Sequence, residues 1–335
     1  MDRRGGGAMN TKWEPTIPGG PDDPAEPDEE RRRRRTELPR TLHAGVGPGA
    51  SRHRLFDPAL KHFDSAYRPA DSVVAEELRP AWRAARRRAL ESVVTAVSAS
   101  GWGDSLVLRG SMLLADRFGD AAREPKDLDF VVVPADWRIE EERTTTMLDE
   151  IASAAQRGTE GHGDGPVIDA AGAESEYIWT YERVPGRRMV LPWQAPGLPA
   201  GQVQLDFVFN EQLPVEPRSG TVCGVPLRAA TLELSLAWKV LWLIDDLYPQ
   251  GKDLYDAVLL AERCPLGNAL LQEVFRLSGN ELPSGGQEEL RLEHLQDSLR
   301  YLDWDHFAQD YPQFADGREQ YVRRLLAALG PTFAA

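Results

Sequence analysis

Cysteine is almost absent from this chain. Of 335 residues only Cys223 and Cys264 carry a thiol. They lie far apart and neither belongs to a CxxC pair, which excludes a disulfide framework and argues against a structural zinc site. The six histidines show no ligand spacing and the nine tryptophans no repeat, so both are expected to be structural. No apolar run approaches the roughly 20 residues of a membrane helix. The longest candidate, residues 234–247, is interrupted by Lys239 and Asp245. No signal peptide is expected either, because the first residues hold no apolar stretch. The expected setting is a reducing cytoplasm, with no membrane as partner. Excess positive charge is missing too. The net charge is −14, whereas proteins that grip long nucleic acid by neutralising phosphates are usually basic. An anionic substrate must then be held at a local basic site or through metal ions.

What is present divides unevenly along the chain. Residues 1–54 combine glycine-rich ends, prolines at 15, 18, 21, 24 and 27, and five arginines at 31–35. They have almost no apolar periodicity and are expected to be a disordered tail. This tail carries eleven Lys/Arg against nine Asp/Glu, which leaves the body near −16. Order is expected from about residue 55. Trp82, Ala85, Ala89, Val93 and Val97 then recur at helical spacing, with Arg83, Arg86, Arg87 and Arg88 off the stripe as a solvated face. Residues 105–108, 128–133, 177–183, 189–193 and 203–209 predict strands. An insert of about 40 residues separates the second from the third, with a helix over 144–156 and a flexible run over 158–165. Pro214 and Pro217 close the β-rich part. Helices are expected near 231–247, 253–263, 268–278, 287–301 and 318–329.

The chemistry concentrates in two short stretches. Leu106-Val-Leu-Arg-Gly-Ser predicts a strand that ends at Gly110 and Ser111, where a helix opens. Glycine lets the backbone approach a ligand, and a hydroxyl with free helix-start amides can hold phosphate oxygens. Gly-Ser before a helix is also an ordinary N-cap. The second stretch, Lys126-Asp-Leu-Asp-Phe-Val, places Asp127 and Asp129 on one side of a strand while Leu128 and Phe130 enter the core. Carboxylates two residues apart, roughly 6.6 Å along a strand, repel by roughly 2.5 kcal/mol at an effective dielectric near 20. A divalent cation between them removes that cost. A third acid, Asp206, sits between Leu205 and Phe207 in another alternating strand. Pairing the two strands would put three carboxylates on one face, an arrangement that holds two Mg²⁺ ions (or Mn²⁺) for nucleotidyl transfer. Arg109 and Lys126 flank the motif and are candidate phosphate contacts, with Arg117 and Arg123 farther off.

Gly-Ser, a spacer, Asp-x-Asp and a later strand Asp resemble the signature of the nucleotidyltransferase, or polymerase-β-like, superfamily. Leu232-Glu-Leu-Ser-Leu-Ala-Trp-Lys, followed by Gly251-Lys-Asp-Leu-Tyr-Asp, resembles the second half of the AbiEii type of nucleotidyltransferase toxins. The resemblance covers about residues 55–265. It implies that Asp127, Asp129 and Asp206 bind metal and that Gly110 and Ser111 cradle the triphosphate. It also implies that Lys239 contacts phosphate and that Asp256 is a second essential acid. Lys252, before Asp253, stands where the family usually has Arg, which weakens a bidentate phosphate role. Lys239 could instead snorkel from an apolar helix, and Asp253 could be an N-cap.

The expected fold is α/β (α+β): a nucleotidyltransferase core over 55–212, a small mixed sheet flanked by helices, and a helical C-terminal domain over 213–335. The resemblance implies transfer of a nucleotide from a nucleoside triphosphate onto an acceptor hydroxyl. It points to RNA, such as a tRNA 3′ end, as acceptor, and to a toxin restrained by an antitoxin. Two rival functions remain: the same chemistry on a small molecule or protein side chain, which the acidic body favours, and nucleotide binding without turnover, which retention of all three acids opposes.

Overall fold

Strands form where apolar residues alternate or run unbroken, and the computed structural model describes residues 48–54, 67–161, 163–180, 184–246, 249–279 and 289–334. The five arginines at 31–35 lie outside them. The first pair of strands, β1 (Ala50–Arg54) and β2 (Tyr67–Val74), runs antiparallel apart from the main sheet. It begins inside the stretch expected as tail. Helix α1 (Arg79–Ala99) follows the expected stripe, with Trp82, Ala85, Ala89, Val93 and Val97 all buried. Arg86 does not belong to a solvated face. It is 4% exposed and donates to Glu124 at 2.7 Å.

The core follows as β3 (Leu106–Arg109), α2 (Gly110–Phe118), β4 (Asp127–Val132), α3 (Glu142–Thr159), β5 (Val167–Ile168), β6 (Glu174–Thr180), β7 (Val184–Gln194), β8 (Gly201–Val208), β9 (Arg218–Val222) and β10 (Val225–Ala229). These strands make one mixed sheet in the order β5-β7-β8-β4-β3-β10-β9, with β6 also on β7. β4 runs parallel to β8 and β3 parallel to β10, while the other pairs are antiparallel. The sheet therefore continues past residue 212 and past Pro214 and Pro217. β9 is mostly exposed and short, so it carries no apolar alternation to betray it. The β9–β10 hairpin turns at Cys223 and Gly224, both with positive φ (50° and 80°), the backbone of a tight primed turn.

One face of the sheet is apolar. Phe130 and Phe207 are partners across β4 and β8, and their rings stack at 5.7 Å. Trp82 of α1 packs on Trp193 of β7 at 5.5 Å, and its indole N–H donates to the Pro199 carbonyl. α1 packs against β8, β10 and α3. The strand alternation that buries Leu128, Phe130, Leu205 and Phe207 sends Asp127, Asp129 and Asp206 to the opposite face.

The helical region meets that opposite face. It comprises α4 (Leu232–Asp245), α5 (Gly251–Ala261), α6 (Asn268–Ser278), α7 (Leu292–Ser298), α8 (Asp305–Asp310) and α9 (Arg318–Phe333). α4 starts at Thr231, whose hydroxyl accepts from the Leu234 amide at 3.1 Å. It is apolar nearly all round because α5, α6 and α7 enclose it. Tyr255, Trp304, Phe307, Phe314 and Tyr321 interlock α5, α8 and α9 with centroids between 4.8 and 6.2 Å. No helix among the described residues is long and apolar enough to cross a membrane.

Trp82→Ala empties the contact between α1 and the sheet and should cost about 3–5 kcal/mol in urea unfolding. Tyr301→Ala, at a side chain 73% exposed, should stay within about 0.5 kcal/mol of wild type.

Candidate active site

β3 ends where its neighbours bring four charges into line. Across β3, β4, β8 and β7 the register pairs Arg109 with Asp129, Asp129 with Asp206, and Asp206 with Arg188. Partners in register point to the same side of a sheet. The row thus reads positive, negative, negative, positive, with neighbouring strands about 4.8 Å apart. Asp127 lies on the same face, one pleat along β4. The sequence expectation that the three acids share one face holds in this register.

Their partners differ. Ser111, 1% exposed, donates its hydroxyl to Asp127 Oδ1 at 3.1 Å. Asp206 accepts a fork from Arg188, Nε to Oδ1 and Nη2 to Oδ2, both at 2.8 Å, and Gln204 adds a bond of 3.0 Å to Oδ2. Against its burial, Asp206 holds the Arg188 guanidinium above its usual pKa, aided by Asp127 and Asp129. Asp129 faces the backbone of Gly110. Burial, then the charges of Asp127 and Asp206, push its carboxyl up to about 7, while Arg109 and Lys239 pull the other way. Gly110 has φ +75°, and a Cβ there would stand 2.2 Å from Asp129 Oδ2. Only glycine lets the start of α2 come this close to the acid.

Two of the basic residues expected at the phosphate, Arg109 and Lys126, are otherwise engaged. Arg109 is 1% exposed, its Nη1 donates to both oxygens of Glu211 at 2.7 and 2.9 Å, and its guanidinium lies over Trp238 and Trp242. Lys126 reaches Asp310 of α8 at 2.8 Å. Lys252 is a partly exposed residue in the first turn of α5.

Lys239 does not snorkel. It is 4% exposed, and its ammonium bonds Asp253 at 2.6 Å and Asp256 at 3.0 Å. Asp253 is not the N-cap, a position that Gln250 occupies. Asp256 is fully buried and also takes Arg123 Nε at 3.0 and 3.1 Å. This quartet ties the loop before β4 to α4 and α5 with two charges of each sign. Despite burial, Arg123 and Lys239 hold the Asp256 carboxyl below its usual value. Asp253 and Asp256 likewise keep Lys239 above its own, against its burial and Arg123.

Among the described residues no three Asp, Glu, His or Cys side chains are drawn together as a metal-binding group. Asp206, the third of the set, is committed to Arg188. The other two still suit Mg²⁺, which is commonly bound by one or two carboxylates together with water and substrate phosphates. Their oxygen donors are hard, and Asp129 already sits amid like charge that a cation would relieve. Sequence reasoning missed Arg188 and Gln204. Both lie in predicted strands or beside one, but which acid they meet depends on the pairing of β7 with β8.

Residues 92–329 match the family model described as nucleotidyl transferase AbiEii toxin, type IV TA system. No curated protein matches the chain significantly. Among solved structures it is similar to an antigenic nucleotidyltransferase-like protein from Paracoccidioides brasiliensis, at 15% identity, over 68% of this chain and 92% of that one. The TM-score of 0.33 is too low for that likeness to carry weight.

Asp256→Asn removes the negative centre of the quartet and should destabilise by about 3–5 kcal/mol at neutral pH. A depressed carboxyl contributes stability above its unfolded pKa and loses it as pH falls through the lower folded value. The gap between wild type and variant should therefore narrow below about pH 4, read from urea midpoints across pH.

Proposed function

The chain belongs to the AbiEii nucleotidyl transferase toxin family of type IV toxin–antitoxin systems, and on that premise we propose that Asp127 and Asp129 form the centre at which it transfers a nucleotide. The enzyme is a nucleotidyltransferase, and its family implies a nucleotide substrate and an antitoxin partner. The observation that carries the proposal is the approach of Gly110 to Asp129 beside Ser111 and Asp127, which joins a phosphate cradle to a carboxylate pair.

In this scheme the backbone at Gly110 and Ser111 holds the triphosphate at the start of α2, where free amides favour anions. Asp127 and Asp129 would hold Mg²⁺. When bound, Mg²⁺ supplies Lewis-acid polarisation of the triphosphate and offsets the charge of the leaving pyrophosphate. Lys239 and Asp256, the phosphate contact and second acid of the resemblance, set α4 and α5 against the acids through Asp253 and Arg123. The reaction moves the nucleoside monophosphate from the triphosphate to the acceptor oxygen and releases pyrophosphate.

For the acceptor we favour an RNA hydroxyl, such as a tRNA 3′ end, as befits a toxin of this family. A second acceptor class, a small molecule or protein side chain, has its own support. Arg188, Arg123, Lys126, Arg109 and Lys239 are each matched to a carboxylate, and the body is acidic, so a long polyanion meets little unmatched charge.

Purified protein with Mg²⁺ and each α-labelled nucleoside triphosphate, with and without total tRNA, separates these cases. Label should enter tRNA, chelation of the metal should abolish it, and Asp127→Ala or Asp129→Ala should lower the rate at least ~10²-fold. Near wild-type rates in either variant would remove the carboxylates from the chemistry. Label entering only small molecules or protein would assign the second acceptor class. Gly110→Ala should lose activity to a similar degree. Its stability should drop by at least about 1–2 kcal/mol, the cost of a left-handed backbone at alanine, because the added Cβ must also displace Asp129 from 2.2 Å.

A further inference from the structure

We propose that Arg188 takes the place of a second divalent cation, so that the three carboxylates serve a single metal ion, held at Asp127 and Asp129. The inference rests on the metal reading above and concerns what becomes of the third acid.

Both oxygens of Asp206 are occupied. The planar fork of Arg188 matches the carboxylate edge on, with two bonds of 2.8 Å, the geometry in which Arg–carboxylate pairs are strongest. Gln204 completes Oδ2 at 3.0 Å, so both lone pairs of that oxygen are used. Arg188 and Asp206 are 19% and 13% exposed, which leaves little water to weaken the pair or to replace it. A cation at Asp206 would have to displace a guanidinium that also feels Asp127 and Asp129.

Charge points the same way. One guanidinium and one divalent cation together match three carboxylates, and the register sets Arg188 on the side of Asp206 away from β4, which carries Asp127 and Asp129. Like charges opposite one another on paired strands repel, and opposite charges attract. Arg188 meets that need at Asp206 permanently, where a metal would meet it only when bound. Arg188 thereby keeps Asp206 off the metal and leaves Asp127 and Asp129 as its carboxylate ligands.

The test counts metal rather than turnover. Mn²⁺ bound per chain is measured by electron paramagnetic resonance with saturating α,β-methylene nucleoside triphosphates, for wild type, Arg188→Met, Asp206→Asn and Asp127→Asn. Wild type should bind one Mn²⁺ and Arg188→Met two, because Asp206 is released as a ligand. Asp206→Asn should keep one ion at near wild-type affinity, whereas Asp127→Asn should weaken it at least ~10-fold. Two ions in wild type, or one ion in a folded Arg188→Met, would overturn the proposal. So would a loss of Mn²⁺ affinity in Asp206→Asn, which decides the matter even if Arg188→Met fails to fold. Wild type binding no Mn²⁺ would instead overturn the metal reading beneath it, while labelling of an acceptor could still proceed.

Discussion

Two carboxylates side by side on parallel central strands are the constraint around which the site is arranged. Asp129 and Asp206 are in register, and water is partly excluded from both, so their repulsion is poorly screened. An arginine stands at each end of the row. The resulting field is balanced at the flanks and negative in the middle, where Asp129 binds its proton more tightly than an ordinary carboxylate. The close approach of Gly110 then sets the start of a helix, the positive end of its dipole, against that negative centre.

The second constraint is buried and ties the two halves of the molecule together. Arg123 precedes β4, Lys239 lies on α4, and Asp253 and Asp256 lie on α5. Burying four charges costs much desolvation energy, and such groups often contribute less to stability than apolar residues of the same size. What they do supply is a docking geometry with few alternatives. Lys239 must meet both carboxylates while Asp256 also meets Arg123, so α4 and α5 have one seat beneath the acids. The aromatic cluster around Tyr255 and Phe307 provides the apolar burial that sets this seat in place.

Much of this was legible in the chain itself. Strand alternation at Asp127 and Asp129, and again at Asp206, follows from a side-chain period of two, and the apolar residues between the acids could only face a core. The stripe of α1 and the uniformly apolar α4 were equally plain. Other features left no local mark. β9 is short and exposed, so nothing in its composition separates it from a loop. Arg86 is one of five arginines on α1, yet it alone is buried, while Arg83 reaches the same Glu124 from a half-exposed position. Arg109 and Lys126 lie beside the motif in sequence, but their side chains end on Glu211 and Asp310, far along the chain.

The sequence by itself thus determined the mixed α/β character, the acid-bearing faces of β4 and β8, and the glycine that admits α2 to the site. These depend on periodicity and on residues next to one another. Only the tertiary structure decided that Asp206 belongs to Arg188, that Lys239 is shared by Asp253 and Asp256, and that Arg109 is spent on Glu211. An ion pair is settled by which strands and helices come within a few ångströms of each other, and that distance is not written in the spacing of residues along a chain.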